Sequence, residues 1–202
     1  MKRTISLLLA AALGLGLLSG CAQASAAKEL TAPKLSVTPS NSEEVNGALA
    51  GFGLELLKKT RDANGETAMN SDMDHMPFST LVSPLSAALA LSMTANGAEG
   101  NTLAQFQDVL GGGVDLVELN TACAQLMADY QGLGGSTKCS IANSLWVDPE
   151  GQIKDEFIGQ CRGIYDAQIF QGELSAPGIV GDLNGWVSKH TNKMIPSIID
   201  KP

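Results

Sequence analysis

Ser83 and Ser86, three apart in Leu81-Val82-Ser83-Pro84-Leu85-Ser86, are the hydroxyls that first invite a reading as nucleophiles. A nucleophilic serine needs a base within hydrogen-bond reach and a third group to orient that base. His75 and His190 stand apart from each other and from the cysteines, and His75, a single histidine in a loop with no second ligand, reads as solvated. Ser83 is better used as a helix cap, and Ser86 falls one turn in, near the third helical position. Cys123, Cys139 and Cys161 show no Cys-x-x-Cys spacing, so neither a zinc site nor a redox pair is indicated. They read as small, mostly buried hydrophobes. Asp148, Glu150, Asp155 and Glu156 lack the Asp-x-Asp-x-Asp-Gly spacing of a calcium loop and read as a solvated turn. Gly111-Gly112-Gly113 follows a helix, whereas a phosphate loop precedes one. No catalytic residue, cofactor-binding set or metal site assembles, so the chain is not expected to be an enzyme.

Charge narrows the partners. The 202 residues carry a formal net charge of −8, and a nucleic-acid partner is excluded because phosphate binding needs a basic face. Lys2 and Arg3 precede an apolar run from Ile5 to Leu18 and the small residues Ser19-Gly20. The run is too short to span a bilayer and fits the core of a secretory signal. Leu18-Ser19-Gly20-Cys21 resembles the lipobox of bacterial lipoproteins, which implies export, cleavage before Cys21 and lipidation of that cysteine. Losing Lys2 and Arg3 would bring the net charge to about −10. The expected organisation is a signal peptide over residues 1–20, a tether rich in Ala, Ser, Thr and Pro over 21–41, and a folded part over 42–202, with order starting near Ser42.

Within the folded part, apolar spacing predicts the elements. Ser42 caps a helix with Val45, Leu49, Phe52 and Leu56 on its inner face. Arg61 to Phe78, with Asn64-Gly65 and a polar Met-rich stretch, reads as a loop. Ser83 and Pro84 open a helix with apolar residues all round from Leu85 to Ala95, which predicts burial on every side, and Gly97 is its expected left-handed stop. Asn101 or Thr102 caps the next helix, with Leu103, Phe106, Val109 and Leu110 inward and the triple glycine as its end. Leu116, Leu119, Cys123, Leu126 and Met127 give another stripe. Cys139 to Val147 reads as a strand covered on both faces. Phe157, Ile158, Cys161, Ile164 and Tyr165 form a short helix, Ala167 to Phe170 a strand, and a final element runs from near Ile179 to Ile195. Gly185 within it, costing about 1 kcal/mol against Ala, predicts a close backbone approach.

Four pieces, in order, resemble the serpin family: Ser83-Pro84-Leu85-Ser86 with its small-residue helix and Asn96-Gly97-Ala98-Glu99-Gly100-Asn101-Thr102; Ile141-Ala142-Asn143-Ser144-Leu145-Trp146-Val147; the helix from Leu183 to Ile195; and, more loosely, Asn46 with Phe52, Leu56 and Leu57. The resemblance implies a mixed α/β fold of α+β type, the N-terminal half of a serpin, with helices packed on a partial central sheet. It places Ser83, Pro84 and Ser86 in a buried, shutter-like cluster beneath that sheet, and the helix from Leu183 to Ile195 across the sheet's front.

The implied function is inhibition of a serine protease, or a cysteine protease, by a suicide-substrate loop that inserts into the sheet after cleavage. No stretch of residues 1–202 resembles the reactive loop, so the expectation is a portion of the inhibitor that is not inhibitory alone and is either a gene fragment or unstable. The alternative is a non-inhibitory surface lipoprotein that uses a partial serpin fold for binding or structure. Neither reading calls for a cofactor or a small-molecule substrate; both expect an extracytoplasmic protein held to a membrane by lipid on Cys21.

Overall fold

The computed structural model describes residues 25–69, 79–136 and 138–201. They fall into two compact units, one of residues Lys28–Leu174 and one joining residues 25–27 to 175–201. The signal segment, Cys21 and His75 lie outside the described residues.

In the larger unit the elements run β1 (Lys28–Leu30), α1 (Glu43–Met69), α2 (Pro84–Ala95), α3 (Gly100–Gly111), α4 (Leu116–Gln131), β2 (Ser144–Val147), α5 (Asp155–Ile164) and β3 (Gln168–Gln171). β3 is central: β2 lies parallel to it, with Leu145 opposite Ile169, and β1 antiparallel, with Leu30 opposite Ile169. Trp146 and Phe170 stack across the β2–β3 pair with centroids 4.4 Å apart. The core gathers Val45 from α1, Leu89 and Met93 from α2, Leu110 from α3, Leu119, Cys123 and Met127 from α4, Ile158 and Cys161 from α5, and Tyr165 and Ile169 around β3. These are the predicted inward stripes of α1, α4 and α5.

Several expectations are corrected. Order does not wait for Ser42: residues 28–30 form β1, and Ala32 is buried. Arg61 to Met69 continues α1, so Asn64-Gly65 is helical, because adding a residue to an existing helix is far easier than starting one and tolerates the penalty of a single glycine. α2 has Ser83 as its cap and Pro84 in its first turn, but Asn96 ends it in a right-handed conformation. Gly97 serves space instead, since a Cβ there would meet the Phe157 ring at 3.1 Å. α2 is also not wrapped all round: Ala88, Leu89, Ser92, Met93 and Ala95 are buried, while Ser86, Ala90, Leu91 and Thr94 are exposed. α3 starts after Glu99, which makes no side-chain cap bond, and its Val109 faces solvent. Its end is as expected, with Gly112 left-handed. β2 keeps only the last four of the nine residues read as a strand.

In the smaller unit, α6 (Pro177–His190) begins before Ile179 and stops before Met194 and Ile195, both exposed. Asn192 and Lys193 turn the chain with φ of 51° and 63°. Asn184 Oδ1 accepts from the Ile198 and Ile199 amides, fastening the segment that follows to the helix. A Cβ on Gly185 would meet nothing within 4 Å, so no close approach explains that residue.

Candidate functional site

The most organised polar group lies inside the larger unit and is built on Tyr165, which is fully buried. Its hydroxyl donates to Asn120 Oδ1 at 2.6 Å. Asn120 and Asn96 face each other amide to amide, Nδ2 of each donating to Oδ1 of the other at 2.8 and 3.1 Å. Asn96 Nδ2 also donates to the Ser92 carbonyl, tying the pair to the last turn of α2. Asn143, just before β2, donates to the Tyr165 carbonyl at 2.9 Å. One network therefore links the C-terminus of α2, the middle of α4, the end of α5 and the entry to β2. A satisfied buried network of this kind fixes the mutual register of the elements it joins.

The neighbouring groups are built to stay neutral. Burial pushes the Cys123 thiol up, against the opposing effect of Ser92 and Tyr165 as hydrogen-bond neighbours. Ser92 Oγ is buried without a nitrogen or oxygen partner among the described residues, which leaves that thiol as its polar neighbour. Burial raises Cys161 to about 12 and carries Tyr165 well above its ordinary range. Neutral thiols and a neutral phenol are poor nucleophiles at neutral pH, so the arrangement serves to lock structure.

A pH dependence follows. A folded-state pKa raised above the unfolded value gives stability that is complete below the unfolded pKa and lost above it. For Cys161 that window runs from the ordinary 9.0 to about 12. Stability should be flat through neutral pH and then fall above about pH 9 by up to about 1.4 kcal/mol per pH unit for each titrating buried group. Urea midpoints read at pH 7, 9 and 10.5 test this; a midpoint that rises at pH 10.5 would contradict it. With a thiol reagent at pH 8, half-buried Cys139 should react well before Cys123 and Cys161.

Ser83 and Ser86 are brought together at a different place, the start of α2. Their oxygens are 2.8 Å apart, Ser83 Oγ accepts from the Ser86 amide, and both residues are solvent-exposed. Among the described residues neither hydroxyl is hydrogen-bonded to a histidine or a carboxylate, and in the smaller unit the His190 ring lies tilted against Trp186. Asp148 caps its own turn by accepting from the Glu150 amide, and no group of three or more His, Cys, Asp or Glu able to hold a metal occurs among the described residues. An open groove of about 760 Å³ lies between the end of α2, α3 and the start of α5, with Phe106, Ile153 and Phe157 among its walls and the Glu99–Lys154 pair beside it. Sequence reasoning missed Asn96, Asn120 and Asn143. The available signal was Asn120, a polar residue inside the apolar stripe of α4.

The third feature is the sheet edge. Asn143 and Val147 carbonyls accept from Gln168 and Gly172 at 3.0 and 3.1 Å. Because backbone groups alternate sides along a strand, Ser144 and Trp146 point theirs away from β3. Their amides have no acceptor among the described residues.

The sequence pattern of the family described as Serpin (serine protease inhibitor) matches residues 48–202. The plasma serine protease inhibitor of Bos taurus is 33% identical over 121 residues, 58% of this chain and 30% of that protein. Serpin-Z2A of Oryza sativa subsp. japonica is 28% identical over 159 residues, 76% of this chain and 35% of that protein. Among solved structures, the thermophilic serpin Tengpin in its native state superposes with a TM-score of 0.70 at 32% identity, covering 87% of this chain and 43% of that one. The chain thus spans between about a third and somewhat under half of the relatives it matches.

Proposed function

The chain belongs to the serpin family, and from that premise we propose that it supplies the helical base and the first strands of the central sheet of an exported, lipid-anchored inhibitor of serine or cysteine proteases. Serpins are protease inhibitors, not catalytic enzymes. The observation that carries the reading is the outer edge of β2, where the Ser144 and Trp146 amides have no acceptor among the described residues. In the proposal the next strand of the family's sheet pairs there, and its neighbours cover the exposed flank of α2, including Ser83 and Ser86, which then take up their shutter role. The proposal assigns the reactive loop to family sequence that no stretch of residues 1–202 resembles.

The anchor rests on Leu18-Ser19-Gly20-Cys21, with Cys21 as the lipidated residue. No helix among the described residues is long and apolar enough to cross a membrane, so the proposal assigns attachment to lipid.

Incubation with trypsin-like and subtilisin-like proteases, followed by denaturing electrophoresis, tests the inhibitory reading. The 202-residue chain should give no SDS-stable adduct. The same chain extended by the remaining portion of a serpin fold should trap protease in a covalent band. An extended, folded protein that is only digested would instead favour a surface lipoprotein using the fold for binding.

A further inference from the structure

The stretch expected to be a loose leash is built into the fold. Within the larger unit, residues 32–40 lie along α5 and α4 as a strap. The Leu35 amide donates to the Gly159 carbonyl at 2.9 Å, Arg162 donates to the Ala32 carbonyl, Lys34 pairs with Asp166 at 2.9 Å, and the Ser40 amide donates to the Thr121 carbonyl at 3.2 Å. The seat is a pair of glycines one turn apart on α5. A Cβ on Gly163 would run into the Leu35 carbonyl oxygen, and one on Gly159 would lie 2.6 Å from that of Pro33. These clashes are with backbone, so no side-chain rotation relieves them. Just before the strap, β1 pairs along its three residues with β3. Within the smaller unit, Ser25 Oγ and the Ala27 amide both donate to Asp182 Oδ2 of α6, at 2.8 and 3.0 Å.

Only four steps of chain separate Ser25 from Cys21. We propose that the fastening of Ser25 and Ala27 to Asp182, continued by the strap, turns the lipid anchor into a short stay, so that the surface around Ser25 and Asp182 faces a lipid bilayer at close range. The inference rests on the anchoring reading given above. Four residues reach at most about 14 Å when fully extended. A free leash from Cys21 to Ser42 would have a mean span of about 25 Å and a much longer maximum. Surface charge does not supply the approach: an acidic protein gains nothing from anionic headgroups, and the formal charge is −8 before processing. The covalent lipid sets the contact, and the fastening of Ser25 and Ala27 to Asp182 sets its length.

The test uses the lipoprotein purified from membranes, carrying Trp146→Phe so that Trp186 of α6 is its tryptophan donor, in vesicles with acceptor-labelled headgroups. Mass spectrometry of the N-terminal peptide first reads the modification of Cys21. With lipid present, energy transfer from Trp186 should be strong, and inserting a 16-residue Gly-Ser spacer between Cys21 and Ser25 should lower it about threefold, since the mean reach of the free segment more than doubles. Trypsin should cut after Lys34 at least ten times faster in Gly163→Val than in the parent. Lipid on Cys21 with transfer unchanged by the spacer, or with Lys34 cut equally fast in both proteins, would overturn the short stay and leave the anchor standing. An unmodified Cys21 would overturn the anchor and the stay together.

Discussion

Replacing Tyr165 by alanine is expected to unfold the larger unit, with a loss of about 3–5 kcal/mol from the cavity alone. Tyr165 is the largest of the fully buried side chains, and its hydroxyl holds Asn120 Oδ1 at 2.6 Å. Domain stabilities of about 5–15 kcal/mol leave little after such a loss. Tyr165→Phe separates volume from hydrogen bonding: it keeps the ring in place and removes one bond to a buried amide, for about 1–3 kcal/mol. Urea unfolding of both variants reads the split. If phenylalanine destabilises as much as alanine, the network outweighs packing; if phenylalanine has no effect, the Asn96–Asn120–Tyr165 network does not join the helices as described.

The second large effect concerns self-association. Leu81 and Leu54 are 95% and 70% exposed, Leu91 lies on the open flank of α2, and among the described residues no strand pairs with the outer edge of β2. An unprotected strand edge beside apolar surface is a template for pairing with another chain. The 202-residue protein should therefore form larger species at micromolar concentration, seen as scattering that grows with time. Ser144→Pro is the sharpest control. The Ser144 amide points away from β3, so proline removes no backbone bond of the existing sheet and costs the hydrogen bond from Trp146 Nε1 to Ser144 Oγ. That variant should stay monomeric longer while retaining its helix content. Equal association by both proteins would move the cause from the strand edge to the apolar flank.

Much of this fold was legible because its signals are local. Ser83 before Pro84, the inward spacing of Val45, Leu49 and Phe52, and the β-branched and aromatic run into Val147 each report on their own few residues. The strap and β1 were not legible, because what holds them is remote: the space at Gly159 and Gly163 lies more than 120 residues further on, and most of the bonds are made by backbone, which carries no residue signature. The burial of α2 was overestimated for a related reason. Its apolar composition describes what the helix is suited to pack against, while Ser86, Ala90, Leu91 and Thr94 face solvent here. The network around Tyr165 is intermediate. Asn120 within an apolar stripe marks a polar site, but its partners Asn96 and Tyr165 lie 24 and 45 residues away.

The central claim is that the sheet continues past β2. Amide hydrogen exchange resolved at Ser144, Leu145, Trp146 and Val147 tests it most directly, compared between the 202-residue chain and the same chain extended through the rest of a serpin fold. In the shorter chain, the Leu145 and Val147 amides, facing β3, should be protected while Ser144 and Trp146 exchange freely; in the extended protein all four should be protected, the latter pair by at least about a hundredfold more than before. Ser144 and Trp146 amides already protected in a monomeric 202-residue chain, or still unprotected in an extended and folded one, would contradict it.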